Sequence, residues 1–386
     1  MARRLTRDFS RHMRFDSRNM FVGIAWGAIA IVTLSFPAHG NSDLSSLKRE
    51  LEDTYIQYQH FSDQGDFPNA ERLGTLALEL GEQIYGMDHP NTAVLSFNLA
   101  KTLNASTRFR WRGLRVAELA VARYRDVFGE NADDTVVPMT LLIQVLAKGV
   151  QSNVFEDEQT RRHRQMYILV GRSERIAKRS NEVTLLADLY QNISKIGLRD
   201  SRRYSVEAED LYEEIYGRKH VRTLIAAMNV ASFKNGDAQT KAYERILRDG
   251  EYVEGFTRYQ FALHQKLSIN YLEIGDEGKA TEHLQAAGLL TSSDRDANYT
   301  PIYKKSPVYP RRAIVRGIEG YVLLEFTVTR EGGVRDPMVV DANPPKIFDQ
   351  AAIDAVLQFR YIPQVSNGVP VEVVGVTNRI AFSFNQ

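Results

Sequence analysis

The 386-residue chain contains no cysteine, only two tryptophans and almost no excess of charge of either sign. The absence of cysteine excludes disulfides, thiolate metal sites and nucleophilic thiol chemistry. Lys and Arg together number 49, against 48 for Asp and Glu, so the chain lacks the basic balance with which nucleic-acid binders displace counterions. Nucleic acid is therefore not an expected partner.

The common catalytic sequence motifs are also absent. The eight histidines form no His-Glu-x-x-His pattern, and no glycine-rich phosphate loop ends in Lys-Ser or Lys-Thr. The nucleophile elbow Gly-x-Ser-x-Gly does not occur either. We predict that the protein is not an enzyme and uses no cofactor or metal. An enzyme whose catalytic groups meet only in the folded chain stays the alternative.

The first forty residues carry a targeting pattern. Six arginines precede an uncharged run from Met20 to Phe36, and such a basic flank stays in the cytoplasm while the apolar run enters the bilayer. Ala38-x-Gly40 fits a small-x-small cleavage site, yet the run is also at the short edge of a spanning helix. Residues 1–40 are therefore either a cleaved signal peptide or a signal anchor formed by residues 20–36. Both alternatives place residues 41–386 in the periplasm.

The long middle of the chain has apolar residues at three- and four-residue spacings, the pattern of amphipathic helices. One short phrase occurs three times, starting at Tyr85, Phe128 and Tyr216: an aromatic residue, a glycine and, six residues after the glycine, a threonine. We expect the aromatic residue to close one helix, the glycine to adopt the left-handed cap conformation and the threonine to cap the next helix. The spacing of the glycines predicts a degenerate fourth copy near 181–196.

The phrase resembles the longer form of the tetratricopeptide repeat, in which Gly-x-x-His-Pro-x-Thr precedes an Asn-Leu-Ala. Asn98-Leu99-Ala100 matches this pattern, Asn229-Val230-Ala231 nearly does, and the second copy departs with Leu141-Leu142-Ile143. We assign residues 41–290 to a helical-repeat domain of about six helix pairs, which would stack into a curved solenoid. The resemblance implies a groove for a peptide or protein, with Asn98 and Asn229 holding the ligand backbone. Alternatively, the two asparagines only bridge or cap neighbouring helices.

The C-terminal part of the chain changes from helical to alternating periodicity. A polar stretch, residues 291–306, has no apolar face and is predicted to be a linker. The pattern then predicts a small α+β module with a three-stranded antiparallel sheet and two helices, so that the whole chain is mainly α. Its elements are a short helix from Pro310 to about Gly317, strands over Tyr321–Thr329 and Val334–Asp341, a helix at 348–359 and a final strand at roughly 371–384.

Several spaced motifs in this module carry a family resemblance. They are Pro307-x-Tyr309-Pro310, Gly317-x-x-Gly320-x-Val322, Phe326-x-Val328, Gly332-Gly333-Val334, Pro345-x-x-Phe348-Asp349, Phe359-Arg360-Tyr361-x-Pro363, Gly368-x-Pro370 and Ile380-x-Phe382. Together they resemble the C-terminal domain of the TonB energy-transducer family, to which we assign residues 307–386. In that family the domain captures a short peptide of an outer-membrane transporter by strand addition.

The resemblance implies which residues bind the partner. The docking edge would be Arg379, Ile380, Ala381, Phe382, Ser383 and Phe384, and Tyr309 and Pro310 would belong to the family motif near the start of the domain. Alternation places Ile380, Phe382 and Phe384 on the core face of this strand. The alternative is a plain structural strand without a docking role.

Two departures from the family bear on function. The best-known members have a long proline-rich spacer, whereas this chain has 12 prolines in all and a helical array. They also keep an inserted anchor whose Ser and His, four residues apart, contact a proton-driven motor. Ser35 and His39 have that spacing but lie at the exit end of the run. The chain is therefore predicted to be either a TonB-like transducer or adaptor, or an envelope scaffold that is not coupled to the motor.

Overall fold

The computed structural model describes residues 41–105, 108–290 and 301–384. The chain divides into two compact units, one ending at Val230 and the other beginning at Ala231. The predicted signal peptide or anchor lies outside the described residues, as does most of the predicted linker. Within the described ranges, no helix combines the length and apolar character that a membrane span requires.

The region predicted to be a helical array consists of α-helices, most of which pack on the next helix in the chain. Twelve α-helices occur between residues 41 and 289 of the described chain, as expected for six pairs. They are α1 (Asn41–Asp63), α2 (Phe67–Tyr85), α3 (Pro90–Asn104), α4 (Trp111–Phe128), α5 (Val136–Gln151), α6 (Gln159–Arg179), α7 (Val183–Ile193), α8 (Ser201–Tyr216), α9 (Val221–Ser232), α10 (Gly236–Asp249), α11 (Thr257–Ile274) and α12 (Glu277–Leu289).

The glycines of the repeated phrase end their helices, but not in the conformation that we expected. Gly86 has φ 86° and ψ 169°, and Gly217 has φ 81° and ψ 166°. The positive φ was predicted correctly, whereas ψ lies far from the left-handed helical value. This region of backbone space is open almost only to glycine. It lets the chain leave the helix in an extended direction instead of curling into a left-handed cap.

Thr135 is the N-cap residue of α5, although its side chain makes no capping hydrogen bond, and the other two threonines do not cap the following helices. Thr92 lies inside α3 and Thr223 inside α9. The Oγ1 of Thr92 donates to the carbonyl oxygen of Gly86 at 2.7 Å, and Thr223 donates to that of Gly217 at 2.9 Å. Each of these two threonines therefore ties the start of one helix to the extended glycine before it.

In two copies of the phrase, a histidine three residues after the glycine makes the capping hydrogen bond. The Nδ1 of His89 accepts a hydrogen bond from the N–H of Asn91 at 3.1 Å. His220 accepts one from the N–H of Arg222 in the same way, at 3.3 Å. The two imidazoles stack on the aromatic residues that close the preceding helices, with ring centroids 4.8 Å apart for Tyr85 and 4.3 Å for Tyr216. This stacking holds the imidazoles where a helix N-terminus needs an acceptor.

The C-terminal module has the predicted fold class. Its elements are α13 (Arg311–Val315), β1 (Gly320–Val328), β2 (Val334–Asn343), α14 (Asp349–Val356), β3 (Gln364–Ser366), β4 (Val369–Val371) and β5 (Val373–Phe382). The main sheet is antiparallel with the order β2-β1-β5. The additional hairpin of β3 and β4 was not predicted, because three-residue strands leave no readable alternation.

The core of this module follows the alternation in the sequence. Alternation over Tyr321–Thr329 predicts that Val322, Leu324, Phe326 and Val328 share one face of β1, and all four are buried. They pack with apolar residues of the segment predicted to be a helix at 348–359 and with the inward side chains of β5, namely Phe348, Ala352, Ala355, Val356, Phe359, Val376, Ile380 and Phe382. One face of the sheet is thus covered by α14, and the other face is open.

The end of the segment predicted to be a linker is bonded to the module. The N–H groups of Ile302 and Tyr303 both donate to the carbonyl oxygen of Arg360, at 2.9 and 3.3 Å. The N–H of Arg360 donates in return to Tyr303 at 3.0 Å. The β-type pairing therefore begins a few residues before the first predicted motif.

Candidate docking edge of the C-terminal sheet

The strand predicted to dock a partner is an edge strand. Within the described residues, β5 pairs on one side with β1, and its other side has no strand neighbour. Seven consecutive pairs, from Gly320 opposite Phe382 to Phe326 opposite Val376, keep one register. Because an edge strand presents a row of unpaired N–H and C=O groups, this stretch is a template for one further strand.

A bulge marks the beginning of the regular part of β5. Phe326 pairs with Val376 but Val328 pairs with Val373, so β5 contains one extra residue between these pairs. Gly375 lies there with φ 79°, a conformation that suits glycine. The extra residue limits the continuous edge to residues 376–382.

The opposite edge of the sheet is much less regular. The pairing of β2 with β1 shifts register twice, after Leu323 and again after Glu325. Pro337 has no N–H to offer, and Asp336 has φ 53°. Bulges, proline and charge are features by which proteins prevent unwanted pairing at an edge. The geometry therefore distinguishes β5 as the edge that is suited to strand addition.

The six predicted edge residues do not share one environment. Ile380 and Phe382 point into the core with 6% and 2% of their surface exposed. Arg379 and Ala381 alternate with them and are exposed. The backbones of these four residues belong to the edge, but among their side chains only those of Arg379 and Ala381 are accessible to a partner.

Ser383 and Phe384 lie beyond the last residue of β5. The prediction that Phe384 faces the core was wrong, because its side chain is 49% exposed. Its N–H donates to Oε1 of Glu319 at 2.7 Å, and its ring stacks on Tyr309 with centroids 5.2 Å apart. The chain thus leaves the ladder after Phe382, and this ring covers Tyr309 instead of entering the core.

The family motif near the start of the module supports the end of this edge. The hydroxyl of Tyr309 donates to the carbonyl oxygen of Ile318 at 2.7 Å, just before β1. Its ring meets those of Phe348 and Phe382 edge-on, with both centroid distances 5.6 Å. Partial burial raises the pKa of Tyr309, which keeps the hydroxyl protonated as a donor. Pro310 is the N-cap residue of α13, as expected for a residue that opens this helix.

The open face of the sheet carries a stacked cation at the edge. The guanidinium carbon of Arg379 lies 3.9 Å from the centroid of the Tyr321 ring. The hydroxyl of Tyr321 donates to Oδ2 of Asp341 at 2.8 Å, and this hydrogen bond is the main reason why the pKa of Tyr321 is raised. Sequence reasoning included Arg379 in the edge but did not find this three-residue arrangement, which spans three strands.

The two predicted groove asparagines bridge neighbouring helices. Nδ2 of Asn98 donates to the hydroxyl of Tyr55 at 2.9 Å. Nδ2 of Asn229 donates to the hydroxyls of Ser194 at 2.5 Å and Ser205 at 2.9 Å. These contacts match the bridging alternative of the sequence analysis. The contact of Asn98 or Asn229 with a ligand stays a prediction.

Sequence reasoning also missed a buried polar network in the first unit. Arg222, which is 3% exposed, donates from Nη1 to Oδ1 of Asp188 at 2.8 Å. The hydroxyl of Tyr212 donates to the same oxygen at 2.5 Å. Burial raises the pKa of Asp188, although Arg222 and Tyr212 both favour the ionised form. Residues 34 positions apart carry no sequence signal that pairs them.

Comparisons with known proteins concern the C-terminal module. Residues 305–384 match the family model described as the Gram-negative bacterial TonB protein C-terminal. Protein TonB of Pseudomonas aeruginosa is 40% identical over 82 residues, which cover 21% of this chain and 24% of that protein. Protein TonB of Vibrio cholerae is 35% identical over 65 residues, which cover 17% of this chain and 27% of that protein. The chain thus spans about a quarter of the length of the curated relatives that it matches.

One solved structure is also similar to part of this chain. The solution NMR structure of the Pseudomonas aeruginosa TonB CTD is 34% identical and covers 24% of this chain and 93% of that chain, with a TM-score of 0.20. The family model and the relatives support the resemblance that the motifs indicated. The C-terminal segment, residues 305–384, is similar to the C-terminal domain of TonB proteins.

Proposed function

We propose that the protein binds other proteins, and that its β5 edge captures an extended peptide segment of an envelope partner by strand addition. The partner class that we propose is an outer-membrane transporter. The observation that carries this proposal is the contrast between the two sheet edges: β5 keeps one register over residues 376–382, whereas β2 is interrupted twice. The similarity of residues 305–384 to TonB C-terminal domains supports the same role.

The energetics of such an edge explain why few side chains need to be specific. In strand addition, backbone hydrogen bonds supply much of the affinity, and alternate side chains of the peptide supply the specificity. Peptide side chains on one side of the new strand would lie beside Arg379 and Ala381, which are exposed. Those on the other side would lie along the edge of the core, beside Ile380 and Phe382.

Backbone methylation of a peptide tests this mechanism without altering the protein. The peptide is a capped heptapeptide of alternating valine and threonine, residues that favour strands. Peptide N–H groups of an added strand point alternately toward β5 and away from it. We expect N-methyl groups at positions of one parity to abolish binding to the full-length chain, and the isomer methylated at the other parity to bind like the unmethylated peptide.

The location of binding can be mapped with cysteine, because the chain has none of its own. Ala381→Cys places a single thiol on the exposed side of β5, and Met338→Cys, at a site 62% exposed on β2, is the matched control. A peptide whose one cysteine is activated as a mixed disulfide should exchange with the thiol of the first variant at alternate peptide positions, releasing the small thiol, and not with the second. Equal methyl sensitivity at both parities, or disulfides at β2, would refute docking at β5.

The helical array is proposed to be a tetratricopeptide-like scaffold over residues 41–290, joined through residues 291–306 to the TonB-like module over residues 307–386. The helix pairs support this assignment, and so do the two glycine connections with a capping histidine and a threonine hydrogen bond. In this scaffold Asn98 and Asn229 are the proposed ligand-facing residues. Their replacement by alanine would then weaken binding of a second partner without changing strand addition at β5.

We further propose that residues 41–386 lie in the periplasm, either soluble or anchored by residues 20–36. If the anchor is kept, the proton-driven motor of the inner membrane is a partner; if it is cleaved, the protein is an envelope scaffold without that coupling. The mass of the intact protein from cells distinguishes the two, since it starts at Met1 or near Asn41. An active cytoplasmic reporter fused after Gln386 would contradict the localisation.

A further inference from the structure

Arg379 is a cation placed at the open edge of the sheet. Its neighbours in the strand, Asn378 and Ile380, face the opposite side, and Ile380 belongs to the core. The Arg379 side chain therefore lies on the face of the sheet that α14 does not cover. A strand added to β5 would put every second side chain beside it.

The guanidinium is held in a defined orientation. It stacks over the ring of Tyr321, with the central carbon 3.9 Å from the ring centroid. Tyr321 is fixed in turn by the hydrogen bond from its hydroxyl to Oδ2 of Asp341. A stacked guanidinium uses its flat face and keeps its N–H edges free to donate, so the entropy lost on binding an anion is smaller than for a free side chain.

The carboxylates on this part of the sheet leave Arg379 without an ionic partner. Asp341 accepts the hydroxyl of Tyr321, and Glu372 is paired with Arg335 at 3.2 Å. Glu325 lies on β1 opposite Thr377, two pairs away from the Leu323–Arg379 pair, whereas the Arg379 side chain points the other way, over Tyr321. Among residues 41–105, 108–290 and 301–384, no carboxylate lies within 4.0 Å of the Arg379 nitrogen atoms.

We propose that the peptide added to β5 carries an acidic residue, aspartate or glutamate, on the open face of the sheet beside Arg379. The proposal rests on the strand addition proposed above and names the chemistry of the partner at that site. The carboxylate would accept a charge-assisted, bidentate pair of hydrogen bonds from the guanidinium. Arg379, which has no carboxylate partner among the described residues, would thus select the sequence and the register of the added peptide.

A glutamate scan tests this inference. The valine–threonine heptapeptide is synthesised with glutamate at each position in turn, and each version is compared with the glutamine version at that position. We expect glutamate to tighten binding by about three- to tenfold at positions of one parity only, the range of a well-oriented surface ion pair. This gain should shrink as the salt concentration rises, because the pair is exposed.

Variants of the full-length chain identify the cation. Arg379→Gln should remove the preference for glutamate and leave the affinity of the glutamine peptides unchanged. Arg379→Lys should keep part of the preference, since it keeps the charge and loses the stacked fork. Arg330→Gln, an exposed arginine in the turn between β1 and β2, is the matched control for net charge and should change neither affinity.

The outcomes separate this inference from the function on which it rests. Disulfides between the peptide and Ala381→Cys, without a glutamate preference or with one that survives Arg379→Gln, would overturn the acidic site and leave strand addition intact. No disulfide and no saturable binding for any peptide of the scan would overturn strand addition at β5, and the acidic site with it. A preference equal at both parities would mean general charge attraction and also reject the site.

Discussion

The helical array and the C-terminal module each contain an arginine held by a tyrosine, but in different surroundings. In the first unit, Asp188, Arg222 and Tyr212 form a buried network between helices. In the module, Arg379 instead stacks on Tyr321 on the sheet face that α14 does not cover. In the array, this network connects neighbouring helices to each other. The module places Arg379 at the sheet edge, where a partner is expected.

Truncation of the aromatic core should break the module most severely. Phe382 is 2% exposed and stacks on Phe348 with centroids 4.3 Å apart. We expect Phe382→Ala to lower the free energy of unfolding by about 3–5 kcal/mol, through lost burial and the cavity left behind. Denaturant unfolding of the full chain, followed by a signal from the module, measures this change. Phe384→Ala is the control of the same residue type, and a comparable loss there would show that Phe384 is part of the core.

The buried ion pair should be the corresponding weak point of the array. Asp188→Asn keeps the shape of the side chain but removes the charge that pairs with Arg222, which is 3% exposed. Because hydrogen bonds to charged groups contribute about 1.5–3 kcal/mol, we expect the unfolding free energy of the first unit to fall by about that amount. Glu207→Gln, which breaks an exposed pair with Arg203, is the matched control. An unchanged stability in Asp188→Asn would mean that the network is energetically neutral.

These two regions also differ in how far the sequence predicts them. In the module, the alternation in β1, with Leu323 as its one apolar exception, identified four buried residues correctly, since a period of two leaves one choice of inward face. The short hairpin of β3 and β4 was missed because it is too short for a pattern. Phe384 was misplaced because alternation gives no sign of where a ladder stops.

In the array, the repeated phrase predicted where the helices end but not which residues make the capping hydrogen bonds. Gly86 and Gly217 do end helices, yet His89 and His220 accept the capping hydrogen bonds that we assigned to threonine. Histidine is not among the usual N-cap residues, so propensity favoured the threonine. At the candidate site, the register of β5 made Arg379 and Tyr321 diagonal neighbours. Register depends on three-dimensional pairing and could not be read from the sequence.

A histidine pair makes the stability of the second unit depend on pH. Nδ1 of His264 in α11 lies 2.9 Å from Nδ1 of His283 in α12. Burial and the charge of His283 lower the pKa of His264 to about 4, and burial lowers the pKa of His283. The charged groups around the pair are Glu244, Glu282 and Lys279, with Tyr271 stacked on His283.

Since the pKa of each histidine is lower in the folded chain, the unfolded chain binds more protons between about pH 6.5 and pH 4. Stability should therefore fall as the pH decreases through this interval. Thermal melts of His264→Gln should show a flatter dependence there, whereas His163→Gln, at an exposed histidine, should not differ from the unaltered chain. A melting temperature of the second unit that is constant from pH 6.5 to pH 4 would contradict the effect.

The smallest expected effect separates the two readings of the asparagines in the array. Asn98 donates to the hydroxyl of Tyr55, and burial raises the pKa of that hydroxyl. If Asn98 only bridges helices, Asn98→Ala should lower the unfolding free energy by about 1 kcal/mol, because it removes one hydrogen bond of a largely buried hydroxyl. In a Tyr55→Phe background the same change should cost less, since the bond is already gone, and the double-mutant cycle measures this coupling. A ligand-binding role predicts in addition that Asn98→Ala weakens the second partner in both backgrounds. Equal losses of stability in the two backgrounds would show that the Asn98–Tyr55 hydrogen bond does not stabilise the array.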